Sequence, residues 1–129
     1  MRDIKFRGLD ATGQKKWVYG DLIHNKKVTT TGLEDRVMVG GYEVIQDSVG
    51  QFTGLKDKDG REIYEGDIVL HHGAGLDGDI GVVNFCGGCF GFAKEGDDDN
   101  SISINFWNKD GYSLEIIGNR YENSDLLDK

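Results

Sequence analysis

Gln51-Phe52-Thr53-Gly54-Leu55-Lys56-Asp57-Lys58-Asp59-Gly60-Arg61-Glu62-Ile63-Tyr64-Glu65-Gly66-Asp67-Ile68-Val69 alternates short apolar cores with turn-forming residues. Residues 51–55 read as extended chain. The Asp59-Gly60 step that follows is a strong hairpin signal, because Gly takes the positive φ that tight hairpin corners need. Ile63-Tyr64 is a second short core. Glu65-Gly66-Asp67 is a tight corner feeding the apolar run Ile68-Val69-Leu70. The segment is a set of hairpin corners around a buried strand, with no catalytic constellation in it.

The same punctuation continues outward. Upstream, residues 4–9 alternate apolar and charged, as a half-buried strand does. Asp10-Ala11-Thr12-Gly13 is a turn and residues 17–23 the returning strand. Asn25-Lys26-Lys27 reads as another turn, leading into Val28-Thr29-Thr30-Thr31. Val37-Met38-Val39 and residues 42–45 read as short strands, and Asp47-Ser48 opens a turn or one helical turn. Downstream, residues 71–79 form a Gly-rich loop. Residues 80–85 and 89–93 form a hairpin about Gly87-Gly88. Residues 96–100 are a solvated loop, and residues 102–106 alternate as a strand. Asn108-Lys109-Asp110-Gly111 turns into a last strand at 114–117, and Asn123 or Ser124 caps a short terminal helix. Strands at short, regular spacing predict a mainly β fold. The expected architecture is an antiparallel β layer over residues 1–50 and a connecting motif over 51–61. Residues 62–129 are expected to form a small barrel of Src-homology-3-like type with one short C-terminal helix.

Twenty Gly and no Pro suit such a fold, since Gly, Asn and Asp must make the corners. The net charge is −8 and is unevenly placed. Residues 1–50 hold eight Lys/Arg against seven Asp/Glu, a net of +1, and residues 51–129 hold seven against sixteen, a net of −9. Phosphate backbones and anionic lipid are repelled by that balance, so nucleic acid and membrane surfaces are disfavoured partners. There is no apolar signal-like segment at the N-terminus and no long apolar run. Two Cys make no disulfide framework. A cytoplasmic protein is expected.

The central motif, Gln51 to Asp57 with Gly60 and then Ile63-Tyr64-Glu65-Gly66-Asp67-Ile68-Val69, resembles the signature of the YopX family of phage and prophage proteins. Lys5-Phe6-Arg7 with Trp17-Val18-Tyr19-Gly20 is similar to that family's N-terminus. Gly81-Val82-Val83, Phe90-Gly91-Phe92, and Glu115-Ile116-Ile117-Gly118-Asn119 with Tyr121-Glu122-Asn123 extend the likeness over nearly the whole chain. The resemblance implies a β-rich protein that self-associates. It brings no activity and no catalytic or binding residues. Two places depart from the family pattern: Cys86-Gly87-Gly88-Cys89 stands where an acidic-Gly turn is commoner, and Asn123-Ser124 where Asn-Pro is usual.

Four groups of residues and one isolated histidine have chemistry to be weighed. Cys86 and Cys89 form a CxxC pair, and with His71 and His72 they supply the donors of a tetrahedral zinc site. Against this, adjacent His on a strand point to opposite faces. The CxxC opens no helix that would activate a thiol, so two small residues flanking a hairpin turn is the simpler reading. Phe90 and Phe92 share a strand face and would stack on single-stranded bases if exposed. Their acidic neighbours favour a place in the core. Asp57-Lys58-Asp59-Gly60 and Leu76-Asp77-Gly78-Asp79 hint at calcium loops but lack the EF-hand ligand order. Glu62, Glu65 and Asp67 could serve as acid–base groups, although Asp67 fits better as a turn residue bonding backbone N–H groups. His24 reads as an isolated surface residue.

The expectation is a phage or prophage accessory protein with a non-enzymatic binding or structural role and no cofactor. Its partners would be further copies of itself and an unidentified phage or host protein. Two alternatives are a single-stranded nucleic-acid binder using Phe90 and Phe92, and a metal- or thiol-dependent enzyme using Cys86, Cys89, His71 and His72.

Overall fold

The computed structural model describes residues 3–14, 16–72, 80–86, 88–93, 102–103 and 113–127, with only the backbone of 86, 102 and 103. It is mainly β, all strand pairs being antiparallel, and has no α-helix among the described residues. The chain divides into two compact units, Met1–Phe52 and Thr53–Lys129. The division falls within strand β6, Gly50–Lys56. The expected connector at 51–61 is thus the body of that strand and the turn after it.

In the first unit, β1 (Phe6–Leu9) pairs with β2 (Trp17–Gly20) from Phe6↔Gly20 to Leu9↔Trp17. The Asp10 carboxylate accepts the Thr12 N–H at 2.9 Å, a local turn device for a short polar side chain. The other side of β1 takes the start of β6, at Phe6↔Gln51 and Arg7↔Gly50. A second sheet has the order β3-β4-β5, from Leu22–Thr29, Gly32–Val39 and Tyr42–Glu43. Val37, Val39 and Val44 form the core with Phe6, Val18, Leu22 and Val49 around them. A single 3-10 turn, Gln46–Ser48, brings the buried Ser48 hydroxyl to accept the Leu9 N–H at 2.8 Å.

Two sequence expectations for this unit are corrected. Residues 17–23 are not one strand, because the chain leaves β2 at Gly20 and enters β3 at Leu22. Asn25-Lys26-Lys27 is not a turn but the middle of β3, and the turn lies at Thr30 and Thr31. Each of the three polar side chains has a partner on the same sheet. The Arg36 Nε donates to Asn25 Oδ1 at 2.6 Å, Lys26 meets Asp35 at 3.0 Å and Lys27 meets Glu43 at 2.9 Å. Their polarity marks a two-stranded arm exposed on both faces, which a local reading confuses with a corner.

In the second unit the remainder of β6 is hydrogen-bonded to β7 (Glu62–Tyr64). A five-stranded sheet follows in the order β11-β10-β9-β8-β12. Its strands are β8 (Asp67–His72), β9 (Ile80–Cys86), β10 (Cys89–Ala93), β11 (Ile102–Ser103) and β12 (Ser113–Asn119). Ile63, Val69, Val83, Phe92 and Leu114 form the core, flanked by Leu55, Phe90 and Ile116. Gly81 is needed here, because a Cβ on it would stand 2.6 Å from the buried Phe92 ring.

Among the described residues this sheet ends at β11 and β12 and does not close into the expected barrel. The expected terminal helix is one 3-10 turn, Ser124–Leu127. Asn123 does not cap it with its side chain: the Asn123 Oδ1 accepts the Asn119 N–H at 3.1 Å. His71 and His72, expected in a loop, end β8 because they pair with Leu114 and Ser113. Several expectations lie outside the described residues: the loop at 73–79 with Leu76-Asp77-Gly78-Asp79, Gly87, the loop at 96–100, the later part of the 102–106 strand and the turn at 108–111.

Candidate functional site

The motif that dominates the sequence is a structural knot. The Asp57 side chain is fully buried. Its Oδ1 accepts the N–H groups of Asp59 and Arg61, both at 2.9 Å. Its Oδ2 accepts the Ile116 N–H at 3.1 Å and meets the Arg61 guanidinium at 3.1 Å. Arg61 in turn donates to the Ile116 carbonyl at 2.7 Å. One carboxylate therefore shapes the Asp-Gly turn and ties it to β12. Burial pushes the Asp57 carboxyl up, but the N–H groups of Ile116, Arg61 and Asp59 and the Arg61 charge outweigh it and hold the group below the ordinary 3.8. A carboxylate held this way is spent on structure and is a poor calcium ligand or base. Asp67 is used similarly, its Oδ2 accepting the Tyr64 N–H at 2.8 Å across the Glu65-Gly66 corner.

The four candidate zinc donors are not brought together. β8 and β9 are antiparallel with Leu70 opposite Ile80. His71 and His72 therefore lie at the end of β9 where it begins, while Cys86 lies six residues on, roughly 20 Å away at about 3.3 Å per residue. Zinc bonds of about 2 Å cannot span that gap. The two His also separate as alternation requires. His71 is buried against the Phe92 ring, centroids 6.2 Å apart, whereas the half-buried His72 meets Glu115 at 3.0 Å. Cys86 and Cys89 are register partners across the β9–β10 turn, and Cys89 is exposed. Among the described residues no three His, Cys, Asp or Glu gather as they would around a metal ion.

Phe90 and Phe92 do not form an open stacking platform. Phe92 is 5% exposed and belongs to the core, and Phe90 packs on that core. Phe85, directly across the hairpin from Phe90, is the exposed ring, meeting it edge-on at 5.1 Å. Glu62 accepts from the Tyr64 hydroxyl at 3.3 Å, while the buried Asp67 carboxylate is turned to the Tyr64 N–H.

The larger feature is on the first unit, and sequence reasoning missed it. Tyr19, Ile23, Val28, Leu33 and Tyr42 are large apolar side chains standing exposed on its strands. Val28 and Leu33 are opposite one another at the tip of the β3–β4 arm and are 84% and 66% exposed. At the root of the arm a cleft of about 350 Å³ is lined by His24, Asn25, Lys26, Asp35, Arg36, Val37 and Gln46. The signal was present as the pattern Val28 to Leu33 around Thr30-Thr31, but the false turn at 25–27 hid it. No helix among the described residues is long and apolar enough to cross a membrane.

Comparison with known proteins adds the family. The model of the YopX family, described as "YopX protein", matches residues 5–128. No curated protein matches the chain. Among solved structures, the crystal structure of protein EF1440 from Enterococcus faecalis is similar, with 26% sequence identity and a TM-score of 0.55. The match covers 98% of this chain and 99% of that one.

Proposed function

The chain belongs to the YopX family, and from that membership and the surface of the first unit we propose a non-enzymatic binding or structural protein of a phage or prophage that works as a homo-oligomer. The observation that carries this is where the apolar side chains lie. The chemistry-bearing candidates His71 and Phe92 are buried, while Tyr19, Ile23, Val28, Leu33 and Tyr42 stand exposed on strands of the first unit. Val28 and Leu33, opposite one another at the arm's tip, are an exposed apolar pair, and apolar surface gathered in one place marks an interaction surface. Action in the host cytoplasm, with a phage or host protein as further partner, belongs to the same reading. So does a small barrel of Src-homology-3-like type built on the five-stranded sheet.

Sedimentation equilibrium of the full chain between about 1 and 100 μM tests the core of it, a range in which ordinary specific complexes assemble. A mass above that of one chain is expected. A single-chain mass throughout would overturn self-association. A salt-sensitive gel shift with a single-stranded oligonucleotide would overturn the non-nucleic-acid reading.

A further inference from the structure

We propose that strand β3 is the self-association edge: two copies of the chain pair β3 to β3 antiparallel about a two-fold axis at Asn25, making one continuous six-stranded sheet. This rests on the self-association proposed above and gives it a surface.

The first observation is the edge. β3 is the outer strand of its sheet, in the order β3-β4-β5. It runs eight residues, Leu22–Thr29, in unbroken register with β4. It has no bulge and no Pro, two of the devices that stop edges from pairing. A free edge of that length presents a row of backbone donors and acceptors to another strand.

The second observation concerns the usual charge guard. Lysines on an edge strand normally repel an incoming strand. Here both are turned onto acids of their own sheet. Lys26 meets Asp35 at 3.0 Å, and Lys27, only 35% exposed, reaches Glu43 at 2.9 Å. The edge is thereby close to neutral.

The third observation is self-complementarity, which selects a second copy as occupant. A two-fold axis preserves the face to which each side chain points, so residues opposite one another must share parity. Centring on Asn25 places Val28 beside the partner's Leu22, Lys27 beside the partner's Ile23 and Lys26 beside the partner's His24. Asn25 meets its own copy. No two formal charges of like sign stand directly opposite. The 84%-exposed Val28 gains an apolar neighbour, and the exposed distal half of the arm gains the additional strands that a two-stranded ribbon needs for stability.

The test uses the position on the axis. Asn25→Asp would set two carboxylates opposite each other, and Asn25→Lys two ammonium groups, at the close spacing of facing residues. Each variant alone is expected to dissociate with a Kd raised at least about tenfold, since like charges across an interface are costly. Mixing the two variants sets unlike charges face to face and is expected to restore the wild-type Kd. Asn25 is exposed, but its side chain accepts from Arg36. Asp keeps that contact while Lys loses it, so the melting temperature of each variant is measured. Recovery on mixing is the deciding readout, because it cannot come from lost stability. Hydrogen exchange of the wild type is a second readout. The β3 amides are expected to be protected at high concentration and to lose protection on dilution. If the wild type is an oligomer yet neither variant weakens it, or mixing gives no recovery, edge pairing is wrong while self-association stands. If β3 exchange is independent of concentration, edge pairing is likewise wrong. If the wild type is a single chain at every concentration, both fall together.

Discussion

The Asp57 carboxylate satisfies three backbone N–H groups and one guanidinium at once. Asp57→Asn keeps the shape but loses the charge and half of the acceptor capacity. A loss of about 2–3 kcal/mol is expected from the denaturant midpoint, the size typical of buried hydrogen bonds to a charged group. The same residue sets an acid limit. Its folded-state pKa lies below the ordinary 3.8, so the folded state favours the carboxylate. That stabilisation is whole above the unfolded value and is lost as pH falls below it and through the folded value. A pH titration of stability should therefore steepen below about pH 4 in the wild type and be flatter there in Asp57→Asn. An unchanged acid limb in the variant would assign the acid sensitivity elsewhere. Phe92 gives the contrasting case. Buried against Val69, Val83 and Leu114, its change to Ala should cost about 3–5 kcal/mol, as for other buried aromatic rings. A loss under about 1 kcal/mol would mean that the ring is a surface group, since surface substitutions stay in that range.

At the scale of elements, the corner between β7 and β8 depends on Gly66. Its φ is +90°, and a Cβ there would stand 3.0 Å from the Tyr121 ring. Gly66→Ala combines left-handed strain with that contact and should lower stability by about 1–3 kcal/mol, read as a fall in melting temperature. The corner was legible beforehand because Tyr64-Glu65-Gly66-Asp67 carries its own explanation: a Gly for the backbone and an Asp for the Tyr64 N–H. The Asp59-Gly60 turn was legible for the same reason. The β3–β4 arm was not. Asn25-Lys26-Lys27 has the composition of a turn, and only Arg36, Asp35 and Glu43, 9 to 16 residues away, show that the chain runs straight through it. Likewise nothing local says that β2 and β3 belong to different sheets.

For the whole molecule, charge makes a prediction that fold does not. With a net charge of −8, the protein should leave a single-stranded oligonucleotide unshifted even at about 50 mM salt, where electrostatic binding is strongest. Neighbouring residues carried the antiparallel β class, the corners, the strand at residues 114–117 and the family likeness, because alternation and turn chemistry act over two to four positions. Distant pairing settled the remainder. Register across β8 and β9 put His71 and His72 at the opposite end from Cys86, dissolving a zinc site that the composition allowed. Packing against Val69 and Val83 took Phe92 out of reach of any base. Sheet order left β3 as an open edge. A side chain's type is a property of one position, whereas its burial and its neighbours depend on which strands meet, and that follows from the free energy of the entire chain.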